Sequence, residues 1–468
     1  MSELFEHQKK YLQAHWQKAG RGLFWEMGTG KTRAALVNLA ALCQAGEVNA
    51  LLVVAPNGVH VNWGREVRKY FPDARFVCYS SRNDAPQRRA LKDLFEHTHG
   101  VRILAINVEA LSYPQSEAVR LAYDFLRATK AMFIVDESTC IKNPKAMRTK
   151  IAFKLRPLSK YRRILTGSPI ADSPFDAWSQ LEFLQPGCSG MSYFQFQHEH
   201  GIYEQVFLGT RSFSKVSGYK RLGQLKQLME THGDFIAKSE CLDLPPKLYQ
   251  TREVSMEPEQ IKLYTLVKND ISVALGTGYI EPVNAMAKLQ HLHNITIGFV
   301  KHEDATIQWI SDARIKALIE LLEEINAKTI IWCSSRPALA QISVALNSRW
   351  GPQCHVQYHG GIDLKTRDLG VDRFQSDPAC LFFLANQEAG GYGLTLTAAS
   401  YEIYFRNNYS LEDRLQSEDR AHRIGQTKSV TIIDMISPGT VDEHVLNALN
   451  SKLDIAATIV DFLKKVTI

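Results

Sequence analysis

The stretch Leu23-Phe-Trp-Glu-Met-Gly-Thr-Gly-Lys-Thr32 constrains this chain more than any other. It reads as a short apolar strand, a glycine turn and a helix opening at Lys31, which is the geometry of a phosphate-binding loop. Gly28 and Gly30 let backbone N–H groups turn inward where a side chain would block them. The helix that follows offers unsatisfied N–H groups and the positive end of its dipole to an anion. Lys31 supplies a charge for the β- and γ-phosphates of a nucleotide, and Thr32 a hydroxyl for Mg2+. The strict pattern has one more glycine at position 25, where this chain carries Trp25. On this stretch alone a glycine-rich turn without a ligand stays open as the alternative. A purine-nucleotide site must find its second half elsewhere in the chain.

A length of 468 residues allows roughly two to four domains. A net charge of +6 is compatible with a nucleic-acid partner without requiring one. The eight cysteines are scattered with no C-x-x-C pair, which argues against a disulfide framework or a zinc site and fits a reducing compartment. His291 and His293 are too isolated to read as metal ligands. The first ten residues are charged and lack an apolar signal core, and no run of about 18 apolar residues appears, so no membrane span is expected.

Leu4 to Leu12 has helical periodicity, and Gln8 within it can read an adenine edge, or be an ordinary surface glutamine. Helical spacing runs from Lys31 to Cys43 with Gly46 as a stop. Buried strands follow at Leu51–Ala55, Ile103–Ile106 and Met132–Val135, the last running into Asp136-Glu137. A carboxylate at the end of a parallel strand faces the ligand crevice of an open α/β sheet. Asp136 there would hold Mg2+ through water, and Glu137 would polarise an attacking water; a solvated turn is the other reading. Thr166 and Ser168 end a further strand and are placed to sense the nucleotide, or serve the turn itself. This alternation predicts an N-terminal lobe over 1–185 with a parallel sheet covered on both faces.

Residues 186–243 change character and are expected to form a helical insertion rather than sheet. Leu244-Pro-Pro-Lys247 reads as a stiff connector, followed by a second helical insertion, together spanning 244–310. A second α/β lobe is expected over 311–468, with strands at Thr329–Cys333, Cys354–Tyr358, Leu381–Ala385, Tyr401–Phe405 and Val430–Asp434 and no phosphate loop of its own. Within it, Arg420 and Arg423 lie three apart and would share a helix face. An arginine at the γ-phosphate stabilises the charge that develops in the transition state. A surface helix with charges paired to Glu418 and Asp419 is the alternative.

Taken in order, these segments resemble the Swi/Snf-type family of superfamily-two ATPases, nucleic-acid translocases that include chromatin remodellers. Met27-Gly-Thr-Gly-Lys-Thr32 is similar to motif I, Leu52-Val-Val-Ala-Pro56 with Trp63 to motif Ia, and Asp136-Glu137 with Lys142-Asn143 to motif II. Leu165-Thr-Gly-Ser-Pro169 is similar to motif III, Leu244 to Lys247 to the interlobe connector, and Gly390 to Thr397 to motif V. Gln416 to Gln426 is a near-complete motif VI, and Thr440-Val-Asp-Glu443 resembles the closing segment. Two departures stand out: Ser138-Thr139 replaces the small residue and histidine of motif II, and Thr395 stands where asparagine is usual.

The resemblance implies an α/β fold of two RecA-like parallel-sheet lobes with small helical insertions between them, using ATP and Mg2+. It implies nucleotide contacts from Gln8, Met27, Gly28, Thr29, Gly30, Lys31, Thr32, Arg33 and Gly393, metal contacts from Thr32 and Asp136, and catalytic roles for Lys31, Glu137, Arg420 and Arg423. Closure of the two lobes would complete the site. The expected partner is double-stranded DNA, gripped through its phosphates by Asn57, Gly58, Asn107 to Glu109, Ser334, Ser335, Arg336 and Gly391 to Thr395. Lys142, Lys145, Arg148 and Lys150 add a basic run, or a solvated helix face. A translocase is the leading expectation; a strand-separating helicase on forks or RNA and an ATP-switched clamp are the alternatives. The chain reads as a minimal, monomeric motor of bacterial or viral kind, cytoplasmic, with a role in DNA repair or recombination among the expectations.

Overall fold

A computed structural model describes residues 4–81, 84–96, 100–170, 173–208, 211–241, 244–276, 282–302, 304–390, 394–451 and 453. Apart from Gln205–Ser214, the described residues before Leu244 form one unit and those from Leu244 onward another. No helix of the described residues is long and apolar enough to cross a membrane.

In the first unit α1 (Glu6–His15), β1 (Gly20–Trp25) and α2 (Lys31–Gln44) open the chain. There follow β2 (Ala50–Ala55), α3 (Asn57–Tyr70), β3 (Arg75–Cys78), α4 (Ala85–Glu96), β4 (Arg102–Asn107), α5 (Glu117–Ala128) and β5 (Ala131–Asp136). Next come α6 (Met147–Leu155), β6 (Tyr161–Leu165), α7 (Asp176–Leu184) and α8 (Tyr193–His200). The strands β7 (Gly201–Leu208) and β8 (Arg211–Tyr219), then α9 (Leu222–His232), β9 (Gly233–Ile236) and α10 (Lys238–Cys241) close this part of the chain. One seven-stranded sheet runs in the order β3-β4-β2-β5-β6-β1-β9, every neighbouring pair parallel. Its central strands β2 and β5 are buried along their whole length, as continuous apolar runs require when helices cover both faces. Arg163 on β6 is fully buried. Its Nε donates to Tyr11 Oη and Asn38 Oδ1, both at 3.0 Å, and its Nη2 to the Trp16 carbonyl at 3.3 Å. The end of α1 and the middle of α2 thus solvate a charge that the sheet could not hold alone.

The second unit contains β10 (Lys247–Glu253), α11 (Pro258–Gly276), α12 (Pro282–Ile297), β11 (Phe299–Lys301), β12 (Ile307–Trp309) and α13 (Ala313–Glu324). It continues with β13 (Thr329–Cys333), α14 (Arg336–Trp350), β14 (His355–Tyr358), α15 (Leu364–Ser376) and β15 (Phe382–Ala385). The remaining elements are α16 (Gln387–Gly390), β16 (Tyr401–Arg406), α17 (Leu411–Glu418) and β17 (Val430–Ile436). Its sheet, ordered β10-β17-β16-β13-β15-β14, is also parallel throughout. Successive side chains of β13 serve opposite layers. Ile331 and Cys333 pack with Leu339, Ile342 and Phe405, while Ile330 and Trp332 pack with Phe374, Phe383 and Tyr404. Both lobes are therefore the doubly covered parallel sheets expected.

The segments between them differ from the expectation of helices alone. Residues 186–243 contain α8 and α9, but also the β7–β8 pair and β9, which adds to the first sheet beside β1 with Gly22 opposite Gly233 and Trp25 opposite Ile236. The chain of the first sheet therefore ends at Ile236 rather than near residue 185. Residues 244–310 likewise hold more than a connector and helices. β10 pairs with β17 along seven residues, and β11 and β12 form an antiparallel pair. Among the described residues β9 and β10 are edge strands, paired on one side only, so neither needs the apolar run that marks a central strand.

Candidate nucleotide site

The loop after β1 has the backbone its glycines predict. Gly28 and Gly30 have φ of 79° and 85°, in the left-handed region open to glycine, and Gly30 caps the fourteen-residue α2. A Cβ on Gly30 would lie 2.5 Å from Gln8 Nε2. Trp25, in place of the extra glycine, is fully buried and meets Tyr11 and His7 edge-on at centroid distances of 5.5 and 5.0 Å. Its ring belongs to the packing of α1 on β1, which leaves Gly28 and Gly30 to shape the loop.

Gln8 is not a surface residue. It is fully buried, donates Nε2–H to the Gly30 carbonyl at 3.1 Å and accepts from the Phe5 amide at 3.1 Å, so its amide braces the loop. His7 Nε2 lies 2.9 Å from the Thr29 carbonyl, and Thr29, itself buried, donates Oγ1–H to the Glu26 carbonyl at 2.7 Å. Lys31 Nζ donates to the carbonyls of Trp25 (2.8 Å) and Glu26 (3.3 Å), which holds it across the loop. Met27 packs where a Cβ on Gly167 would meet its Cγ at 3.3 Å, which puts the loop against the end of β6. Thr32 and Arg33 open α2, and the Arg33 guanidinium lies 5.7 Å from the centre of the Tyr70 ring at the end of α3.

Asp136 ends β5 and is 4% exposed. Its Oδ2 accepts from Trp63 Nε1 at 2.7 Å and its Oδ1 from the Glu137 amide at 3.0 Å. Burial raises its pKa above the ordinary carboxylate value; the Trp63 donor, the Lys31 charge and the Glu137 amide work the other way. The sheet thus brings the phosphate loop and the acidic loop within electrostatic reach of each other. Glu137 has φ 48° and ψ 60°, a left-handed conformation that a non-glycine residue adopts at a cost. Ser138 donates to Gln180 Oε1 at 2.6 Å, and Gln180 Nε2 donates to the Pro169 carbonyl at 2.6 Å. Gln180 therefore joins the acidic loop to the Thr166–Pro169 segment, a link made without a histidine at position 139. Thr166 is buried and its Oγ1 accepts from the Ser168 amide at 3.2 Å. Sequence reading missed Gln180 and the bond that Trp63 makes.

In the second unit α17 stops at Glu418, so Arg420 and Arg423 sit in the turn beyond it and not on a shared helix face. They converge for another reason. Both guanidinium groups donate to the Leu394 carbonyl, at 3.3 and 2.7 Å, and Arg420 Nε also donates to the Gln416 carbonyl at 2.8 Å. Gln426 Nε2 fastens the turn to the Thr397, Ala399 and Ala421 carbonyls. Burial lowers the Arg423 pKa, and Asp419 opposes that. Gly393 lies outside the described residues, as do Gly391 and residue 392. Of the expected DNA contacts, Asn107 accepts from the Glu109 amide and Ser335 from the Ala338 amide, so both cap their own turns. Lys145 and Lys150 are exposed, with Lys142 and Arg148 half-buried.

The donor set fits a nucleoside triphosphate with Mg2+. A helix N-terminus, inward-turned glycines and a lysine suit phosphate oxygens, and Thr32 with a buried carboxylate at Asp136 suits a hard cation. Fold and site together define a P-loop ATPase core with a second, helicase-type sheet. The SNF2-related domain matches residues 7–298 and the helicase conserved C-terminal domain residues 313–425. The chain belongs to the SNF2-related family. Among its relatives are the TATA-binding protein-associated factor mot1 of Aspergillus fumigatus (25% identical, 93% of this chain and 25% of that protein) and the ATP-dependent helicase fft1 of Schizosaccharomyces pombe (23%, 94% and 51%). The putative ATP-dependent helicase/translocase YwqA of Bacillus subtilis is 26% identical over 91% of this chain and 45% of its own. The chain thus spans between a quarter and about half of these relatives. A solved SWI2/SNF2 ATPase core from Sulfolobus solfataricus in complex with dsDNA is 22% identical, covers 100% of this chain and 96% of that one, and has a TM-score of 0.44.

Proposed function

We propose that this chain hydrolyses ATP and couples the hydrolysis to movement along double-stranded DNA. The observation that carries the reading is the buried Asp136 with the strained Glu137, set at the end of the strand that shares a sheet with the Gly28–Thr32 loop. The names of the relatives, helicase and translocase among them, support the motor part of it. The loop amides and Lys31 bind the phosphates, Thr32 and Asp136 hold Mg2+, and Glu137 orients and polarises the attacking water. Bound there, Mg2+ neutralises charge on the β- and γ-phosphates. Arg420 and Arg423 are assigned to the γ-phosphate as its charge develops. The Ser138–Gln180–Pro169 chain is the route by which the acidic loop reports the nucleotide to the rest of its sheet.

The test is steady-state ATP hydrolysis measured in parallel with no nucleic acid, single-stranded DNA, duplex DNA, forked DNA and RNA. Duplex DNA should stimulate most, and the stimulation should fall steeply with salt because phosphate contacts dominate such binding. Lys31→Ala should abolish turnover, and Glu137→Gln should bind ATP yet fail to hydrolyse it. Turnover indifferent to every nucleic acid, or an active Lys31→Ala protein, sinks the proposal; strand separation without translocation on intact duplex favours a helicase instead.

A further inference from the structure

Strand β10 and the proline segment just before it grip the arginine turn at both ends. Lys247, its first residue, places Nζ 2.9 Å from Glu418 Oε2 and 3.3 Å from Asp419 Oδ1. Tyr249 donates its hydroxyl to the same Glu418 oxygen at 2.9 Å. Two residues before Lys247, the Pro245 carbonyl lies 2.7 Å from Nε2 of His422, the residue just before Arg423. Glu418 has a second cation besides Lys247: its Oε1 accepts from Arg414 Nε at 2.7 Å, and Asp434 holds Arg414 through both terminal nitrogens. Asp419 is placed differently. It lies 3.3 Å from Lys247 Nζ and four residues before Arg423, whose charged form its own charge favours. With its side chain only 12% exposed, Asp419 relieved of Lys247 is poorly hydrated and is drawn towards the cation four residues on, and an arginine so paired is withdrawn from any phosphate.

We propose that Lys247 is a positioning residue for ATP hydrolysis, occupying Asp419 so that Arg423 stays available to the γ-phosphate, while the bond between His422 and the Pro245 carbonyl fixes the other end of the turn. The proposal rests on the assignment of Arg420 and Arg423 to the γ-phosphate. It makes the start of β10 part of the hydrolytic apparatus, where the sequence suggests only a stiff spacer.

The experiment compares duplex-stimulated ATP turnover and melting temperature for Lys247→Met, Lys247→Arg, the double variant Lys247→Met/Asp419→Asn, and Arg423→Ala in the whole chain. Lys247→Met should lower kcat about tenfold with KM for ATP within about twofold, measured at a temperature where the chain stays folded, because Glu418 also loses one of its two cations and the melting temperature falls with it. Lys247→Arg should retain most of the turnover, and adding Asp419→Asn to Lys247→Met should restore several-fold of the loss, because the competing acid is gone. A lysine that merely braces the fold would lower the melting temperature but leave kcat of the folded chain near parental, and adding Asp419→Asn would restore no turnover. Should Lys247→Met fold poorly, Lys247→Gln keeps a donor for Glu418 and takes its place. Parental kcat in the lysine variant, or a defect that Asp419→Asn leaves or deepens, overturns the proposal while an inactive Arg423→Ala leaves the arginine assignment standing. Parental turnover in Arg423→Ala removes that assignment and this inference with it.

Discussion

Replacing Trp63 by phenylalanine isolates the bond that holds the acidic loop. Trp63 lies in α3 with no exposed surface, and its Nε1–H is 2.7 Å from Asp136 Oδ2. Phenylalanine keeps the apolar contacts of the six-membered ring and leaves that carboxylate oxygen without its donor. A hydrogen bond to a charged group is worth about 1.5–3 kcal/mol, and little water reaches a residue 4% exposed to replace it. At roughly 2–4 °C per kcal/mol for a unit of this size, the melting temperature should fall by about 3–12 °C. The assay is a thermal melt followed by circular dichroism on Trp63→Phe, Asp136→Ala and the double variant. With the carboxylate absent, Trp63→Phe should cost about 1 kcal/mol or less, the share due to the smaller ring. Half-saturating Mg2+ for turnover should also rise in the single Trp63→Phe variant, because Asp136 loses the contact that aims it. An equal cost of Trp63→Phe in both backgrounds would refute the argument, since the bond to Asp136 would then contribute nothing.

Two further outcomes follow from buried titratable groups in the second unit. Glu402 is fully buried, with Oε2 accepting from Trp332 Nε1 at 2.7 Å, and burial pushes its pKa well above the ordinary value. The folded chain then keeps a proton that the unfolded chain releases above about pH 4.3, so stability declines as pH rises; Glu402→Gln should melt at or above the parent at pH 8, with the gap closing towards pH 4. His293 is shifted the other way, its pKa lowered by burial although Asp442 lies 3.1 Å away. Its neutral form contributes stability above about pH 6.5 that is lost as pH falls through the folded value, so the denaturant midpoint should drop between pH 7.5 and 5.5, and less so in His293→Gln.

What the sequence discloses about this molecule follows the range of the interactions involved. Gly28, Gly30 and Lys31 act within a single turn, and Asp136 ends a six-residue run with no exposed position, so their neighbours in the chain suffice to read them. The central strands of both sheets are legible for the same reason. β10 alternates no apolar face, because five of its seven residues are exposed, and β9 is four residues long. Gln8 sits in a run of polar residues that looks like surface; only Gly30, met across 22 positions, makes it a core residue. Ser138 and Gln180 are 42 positions apart, and no local pattern announces a bond between them. Arg420 and Arg423 have the spacing of a helix face, yet a carbonyl from Leu394 draws them together after the helix has ended.

The dependence of Arg163 on Tyr11 and Trp16 carries a consequence for how the molecule is made. Tyr11 leaves the ribosome 152 residues ahead of the guanidinium it must meet. At the usual pace of translation that is a wait of roughly 8–30 s. During it the helix can pack on Trp25 and reach Asn38, but the polar end of Tyr11 waits for the guanidinium. A chain without this helix would not simply be a trimmed enzyme: it would bury a positive charge without its Tyr11 neighbour and uncover Trp25 beside the fuel site.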